Sequence, residues 1–222
     1  MLIRLGSTRS EVEQIMNFVS RSYLQYDSGV AGRMNAASAS YGPGGSGACV
    51  AYTIAPSEFG FILIAATIQG ICWLGIHQCE AYLESELRGD FPKAQIVRGD
   101  DTMRQVAEQV VAFIGGTDAS LNLPLDIRAT PFQLAVWREL CTIPPGATRS
   151  YGEIARRLGQ SGSARAVGRA NGSNPLALLI PCHRAVGANG KLTGYRWGLE
   201  TKRRLLEHER VERGGGSLAF SP

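Results

Sequence analysis

Residues 178–184 read Leu178-Leu179-Ile180-Pro181-Cys182-His183-Arg184, and the second half of the chain is organised around them. An apolar, strand-like run stops at a proline, and a cysteine follows with a histidine and an arginine beside it. A free thiol has a pKa of about 8.5, so only a few per cent is thiolate at neutral pH. A neighbouring base or cation raises that fraction, and the thiolate is the nucleophile. Cys182 is the one cysteine with such neighbours; Cys49, Cys72, Cys79 and Cys141 sit in apolar runs and are expected in the core. A buried structural thiol is the alternative reading of Cys182 itself.

Upstream of this segment, Thr130-Pro131 opens a helix that runs through Leu140, with proline in its first turn. Pro144-Pro145-Gly146 ends that unit. Tyr151–Leu158 and Ser163–Asn171 are predicted as short helices across a Gly159–Gly162 turn, the outline of a helix-turn-helix. An ordinary corner between two helices has the same outline, but Arg156, Arg157, Arg165 and Arg169 favour contact with DNA. Downstream, a last helix is predicted over Leu199–Val211.

The first half reads differently. Ser10 and Glu13 make a possible capping box for a helix over 7–26, with Val12, Ile15, Met16, Val19 and Tyr23 at helical spacing. Gly29–Gly47 is rich in Gly, Ala and Ser and reads as a linker. Strands are expected at 50–54, 59–68 and 71–76, with Gln69-Gly70 as a turn. A helix over Glu80–Arg88 follows, then one over Thr102–Ile114 with Val106, Val110, Val111 and Ile114 on one face, stopped by Gly115-Gly116. The fold class is therefore α+β: a small N-terminal α/β domain with an antiparallel sheet, then a mostly helical C-terminal domain holding the helix-turn-helix and Cys182. The expected boundaries are 1–47 for the N-terminal segment and linker, 48–120, 121–213, and a tail over 214–222.

The composition excludes several classes. Of 222 residues, 44% are hydrophobic and 19% charged, as in a soluble globular chain. The most apolar stretch, Phe61–Ile76, falls short of the roughly 18 residues a membrane span needs and is broken by Gln69-Gly70, so no membrane association is expected. The N-terminus has no apolar signal region. Five cysteines without a CxxC pair, and only three histidines, argue for a reduced chain with neither a disulfide framework nor a metal site. The net charge of +4 hides a division: residues 1–127 carry 8 Lys and Arg against 13 Asp and Glu, and residues 128–213 carry 15 against 6. A basic half suits a polyanion such as nucleic acid.

Pro181-Cys182-His183-Arg184 resembles the active-site motif of the O6-alkylguanine-DNA alkyltransferases. Tyr151-Gly152-Glu153-Ile154-Ala155 resembles the first helix of that family's helix-turn-helix, and Ala164-Arg165-Ala166-Val167-Gly168 its recognition helix. Asn174-Pro175 stands at the family's spacing before the active-site strand, and Gly194-Tyr195-Arg196-Trp197-Gly198 is similar to the Ada type in particular. Ser20-Arg21-Ser22-Tyr23 and the run from Ala31-Gly32-Arg33-Met34 through Gly44-Gly45 resemble a degraded end of the AraC-like domain that precedes the alkyltransferase in Ada proteins.

The resemblance implies single-turnover DNA repair by direct reversal, in a cytoplasmic, nucleoid-associated bacterial protein that acts as a monomer without a cofactor. Its partner is double-stranded DNA carrying O6-alkylguanine, with O4-alkylthymine a further possible substrate. Cys182 accepts the alkyl group, His183 draws off its proton through a water, and Glu209 orients His183. Asn174 holds the turn before the active-site strand. Tyr151 gives a proton to the departing guanine and crowds the phosphate. Arg165 fills the stack when the base leaves, beside Ala164 and Arg169 on the DNA face. Tyr195, Arg196, Pro175, Ala185 and Trp197 line the base pocket. A base flipped from a duplex costs a few kcal/mol to extrude, which gives an inserted arginine its purpose. The alternatives are an Ada-type transcriptional regulator and a non-enzymatic binder of alkylated DNA.

Overall fold

A computed structural model describes residues 39–115 and 123–211, together with Gln14, Ile15 and Met34. Of the expected helix over 7–26, only Gln14 and Ile15 are described, and both are helical. Its capping box lies outside the described residues, and of the AraC-like segments only Met34 and residues 39–45 are described. The chain divides into two compact units, Met1–Arg128 and Ala129–Pro222.

In the first unit, β1 (Cys49–Ser57), β2 (Gly60–Thr67) and β3 (Gly70–His77) form an antiparallel meander. These strands are β-branched and apolar, and almost every position of β2 and β3 is buried. Gln69-Gly70 closes the second hairpin as expected. Gly70 has a φ of +149°, and a Cβ there would sit 2.5 Å from the Pro124 carbonyl oxygen, so only glycine fits. Helix α1 (Glu80–Asp90) leads into β4 (Gln95–Arg98), which runs parallel to β1 and makes the sheet order β3-β2-β1-β4. β4 is an addition to the sequence reading. Four half-exposed or exposed residues carry no periodic signal.

Helix α2 (Asp101–Ile114) is capped by the Asp100 side chain, which accepts from Thr102 N at 2.9 Å. Its buried face is Met103, Val106, Ala107 and Val110. Val111 and Ile114, expected on that face, are only half-buried. The helix starts at Asp101, one residue before the expected Thr102, and Met103 heads the buried stripe.

Two expectations are corrected here. The end of the supposed linker is folded: Asp126 accepts from Ser40 N at 2.8 Å and from the Ser40 and Thr67 hydroxyls, and the Tyr41 ring stands 5.3 Å from Phe91. Gly45, at φ +79°, lies where a Cβ would come within 2.8 Å of Ala94 and Phe91. The domain boundary also falls at Arg128/Ala129 rather than 120/121, because Ile71 N bonds to Pro124 O and Asp126 N to Ile71 O, tying 123–128 to the sheet.

The second unit opens with α3 (Pro131–Cys141), whose capping box joins Thr130 and Gln133. Next come β5 (Arg149–Ser150), α4 (Tyr151–Arg157), α5 (Ala164–Gly172), a 3₁₀ turn over Cys182–Arg184, β6 (Ala185–Val186) and α6 (Leu199–Val211). Leu134, Trp137, Leu140, Ile154, Val167, Leu176, Ile180, Leu205 and Leu206 form its core. The expected strand before Cys182 is absent. Leu178 has a φ of +72°, and Ile180 N bonds to Leu176 O, so 176–182 is a tight loop. The apolar residues there are buried by looping into the core, which a strand pattern mimics.

Candidate functional site

Asn174 organises the loop. Its Oδ1 accepts from Leu176 N at 2.9 Å, and its Nδ2 lies 2.9 Å from Ile180 O and 3.1 Å from Cys182 Sγ. One amide thus folds the loop and touches the thiol. Asn174 is buried, so each of these bonds replaces water that the site excludes.

Cys182 begins the 3₁₀ turn and is 4% exposed. Burial pushes its thiol pKa up, while the Asn174 hydrogen bond, the Lys202 charge and Tyr195 pull it down. The other cysteines lack that setting. Burial, then the Asp126 charge, pushes Cys72 well up, and burial carries Cys141 to about 12 against the pull of the Arg184 charge. The expectation that all four are core fails for Cys79, which is exposed before α1, and for half-buried Cys49 and Cys141. Each stands at the end of an element, where an apolar run no longer implies burial.

His183 Nε2 lies 2.7 Å from Glu209 Oε1. Burial lowers the histidine's pKa and the Glu209 bond only partly reverses this, so the ring is neutral. With Nε2–H donating to the carboxylate, Nδ1 carries the lone pair. Burial pushes Glu209 up, but its hydrogen bonds to His183 and Arg184 and the Arg184 charge outweigh it and hold the carboxyl at about 2. Glu209 Oε2 also accepts from Gly146 N at 2.9 Å, which fixes the Pro144-Pro145-Gly146 turn. Arg203, also on α6, pairs with Glu200.

The parallel pairing of β5 with β6 joins the two halves of the site, setting Arg149 against Ala185 and Ser150 against Val186. Tyr151 starts α4 directly after Ser150, whose capping box with Glu153 fixes the helix start. Its hydroxyl lies 3.5 Å from Thr193 Oγ1. Burial raises the Tyr151 pKa, which keeps its proton in place. Tyr195 is pushed much higher by burial and then by the Cys182 charge. No hydrogen bond of normal geometry joins its buried hydroxyl to the thiol. Arg196 lies 5.0 Å above the Trp197 ring, and Trp197 and Ala185 are buried while Pro175 is half-buried.

The helix-turn-helix is formed by α4 and α5, with Gly159 and Gly162 at positive φ in the turn. Arg156, Arg165 and Arg169 are exposed and Ala164 is half-buried. Arg157 differs: it pairs with Glu139 of α3, as Arg149 does. A guanidinium already held by a carboxylate is poorly placed to bind phosphate.

The residues 131–211 match the family described as 6-O-methylguanine DNA methyltransferase, DNA binding domain. The chain is 41% identical over 158 residues to the methylated-DNA–protein-cysteine methyltransferase of Methanosarcina mazei, covering 71% of this chain and 96% of that one. This chain belongs to the methylated-DNA–protein-cysteine methyltransferase family. It is also 43% identical over 166 residues to the bifunctional transcriptional activator/DNA repair enzyme Ada of Escherichia coli, covering 75% of this chain. That match spans 47% of Ada, so about half of that relative's length is represented. Among solved structures, Mycobacterium tuberculosis OGT in complex with DNA superposes with a TM-score of 0.58 at 38% identity, covering 72% of this chain and 93% of that one.

Two members of the site were missed by sequence reasoning. Arg184 was read only as a cation beside Cys182, yet it binds Glu209 through Nε and Nη2 at 2.8–3.1 Å and Ile143 O through Nη1 at 2.6 Å. Lys202 is fully buried, donates to Ala185 O at 2.6 Å and Thr193 O at 3.0 Å, and is lowered by burial to about 8. The available signal for Lys202 was its place among Leu199, Leu205 and Leu206 on α6, three and four residues apart, where a lysine is out of character.

Proposed function

We propose that the chain repairs DNA by moving an alkyl group from O6-alkylguanine to Cys182, once per molecule. The observation that carries this reading is the buried Cys182 thiol, held by Asn174 and followed by the His183–Glu209 pair. In the transfer the carbon–O6 bond breaks and a carbon–sulfur bond forms. The thiol proton goes through a water to His183, and the leaving guanine takes a proton from Tyr151. The product is a thioether, and nothing in the site cleaves one. The exposed Arg156, Arg165 and Arg169 supply phosphate contacts, and Arg165 fills the stack as the base is extruded. Tyr195, Arg196, Pro175, Ala185 and Trp197 wall the base pocket. The DNA-bound relative and the match of 131–211 to a DNA-binding domain support duplex DNA as partner. No helix among the described residues is long and apolar enough to cross a membrane, in keeping with a cytoplasmic, nucleoid-associated role.

The test is intact-protein mass after incubation with an oligonucleotide carrying O6-methylguanine. Each chain should gain the mass of one CH2 on Cys182, and repaired guanine should level off at one per protein molecule. The Cys182→Ala variant should bind the same DNA without gaining mass. Turnover beyond one equivalent, or methylation of the variant, would refute the reading.

A further inference from the structure

Arg184 is pinned at both ends of its guanidinium. Nη1 donates to Ile143 O at 2.6 Å, just past α3, while Nε and Nη2 reach the two Glu209 oxygens at 2.8–3.1 Å. The oxygen closest to Nη2, Oε1, is the same atom that accepts from His183 Nε2 at 2.7 Å. Both side chains are 14% exposed, so solvent does little to screen the pair.

A carboxylate facing an imidazole alone does two things. It fixes the tautomer, and its charge draws a proton onto the ring. A carboxylate shared with a guanidinium still fixes the tautomer, but most of its charge is already offset. We propose that Arg184 is a positioning residue of the His183–Glu209 pair, one that offsets the Glu209 charge so that the carboxylate orients the imidazole without converting it to imidazolium.

The surroundings of the ring point the same way. Cys182 and Arg184 face it from its own turn, and Glu209 and Lys202 from α6; both cations disfavour a charged ring and Glu209 alone favours one. Beyond burial, Cys182 and Glu209 raise Tyr195, while Arg184 lowers and Cys182 raises Cys141; the side chains that shift the ring itself are Glu209, Arg184 and Lys202. His183 Nδ1 is buried and bonds to no protein atom among the described residues. Protonation would place a donor there with no protein acceptor, at a cost the neutral ring avoids. An acceptor at Nδ1 is what removal of the thiol proton requires, so the inference rests on the transfer reading for its purpose but not for its geometry.

The experiment compares wild type, Arg184→Gln and Arg184→Lys by NMR titration of His183 and by the pH profile of single-turnover transfer. In Arg184→Gln the histidine should titrate about one pH unit higher, and below that limb transfer should be about tenfold slower than in wild type at the same pH. Arg184→Lys keeps the charge without the fork and should recover most of the shift. An unmoved titration with uniformly slower transfer would make Arg184 a packing residue and overturn the proposal. If Arg184→Gln does not fold, citrulline at this position keeps the shape without the charge. It can be introduced by ligating a synthetic 182–222 segment at Cys182, and the same outcomes decide. The titration needs no DNA, so wild type that fails to transfer would count against the proposed function and leave this inference to be judged on the histidine shift alone.

Discussion

In the first unit the sheet interior is Val50, Ile62, Leu63, Ile64, Ile71 and Leu74 with Thr53 of β1 as its buried polar residue, and Thr67 and Asp126 stand at its margin, where 39–41 and 123–128 are fastened on. In the second unit the buried polar groups Asn174, His183 and Lys202 surround the thiol. The first unit is thus held by apolar area with polar clasps at its edge. The second spends its interior on a hydrogen-bonded network that must be complete, because each partner removed strands another buried polar atom. The same burial serves stability in one unit and chemistry in the other.

The largest expected contrast comes from one deletion in each unit. Ile64→Ala leaves a cavity in the sheet and should cost about 3 kcal/mol of stability, while transfer per folded molecule stays as in wild type. Asn174→Ala frees Leu176 N, Ile180 O and the thiol together, and should cost a similar amount, about 3 kcal/mol, while slowing transfer at least tenfold. Urea unfolding and single-turnover kinetics on both variants measure this. Equal transfer in the two would erase the distinction between the units.

Acid should also separate them. Glu209 is held at about 2 in the folded chain against an ordinary value of 4.5. A depressed carboxyl contributes its full stability above the unfolded value and loses it as the pH falls through the folded one. Between about pH 4.5 and about pH 2 the second unit should therefore lose on the order of 3 kcal/mol through this group. Denaturant melts of wild type and Glu209→Gln over that window check it; the variant should lack this part of the pH dependence, and parallel curves would refute it.

The smallest contrast lies within the basic unit. Arg165→Ala should lower the salt dependence of duplex binding by about one phosphate contact and slow repair of duplex more than of free O6-benzylguanine. Arg157→Ala, whose guanidinium is held by Glu139, should leave the salt slope unchanged and cost about 0.5 kcal/mol of stability. Binding titrations across salt concentration distinguish them, and equal slopes would place Arg157 on the DNA face as well.

Local patterns account for much of what was legible. The three-strand meander, the hairpin at Gln69-Gly70, the start of α3 at Thr130-Pro131 and the span of α6 all follow from side-chain period, caps and breakers within a few residues of each element. The pairing of His183 with Glu209 is the one the family resemblance implied. β4 escaped because its order depends on β1, 46 residues away in register (Cys49 against Gln95). The loop before Cys182 was misread because apolar residues buried by a turn and by a strand look alike in one dimension.

The sequence by itself determined which side chains could do chemistry: a cysteine beside a histidine and an arginine, an asparagine eight residues before it, and a glutamate on the buried side of the last helix. Only the tertiary structure decided how those groups are coupled. That Asn174 reaches the thiol, that Glu209 is shared between His183 and Arg184, that Lys202 is spent on Ala185 and Thr193 carbonyls, and that Arg157 is held by Glu139 all depend on distances between segments far apart in the chain. Electrostatic coupling and hydrogen bonding fall away within a few ångströms, and sequence separation does not measure that distance.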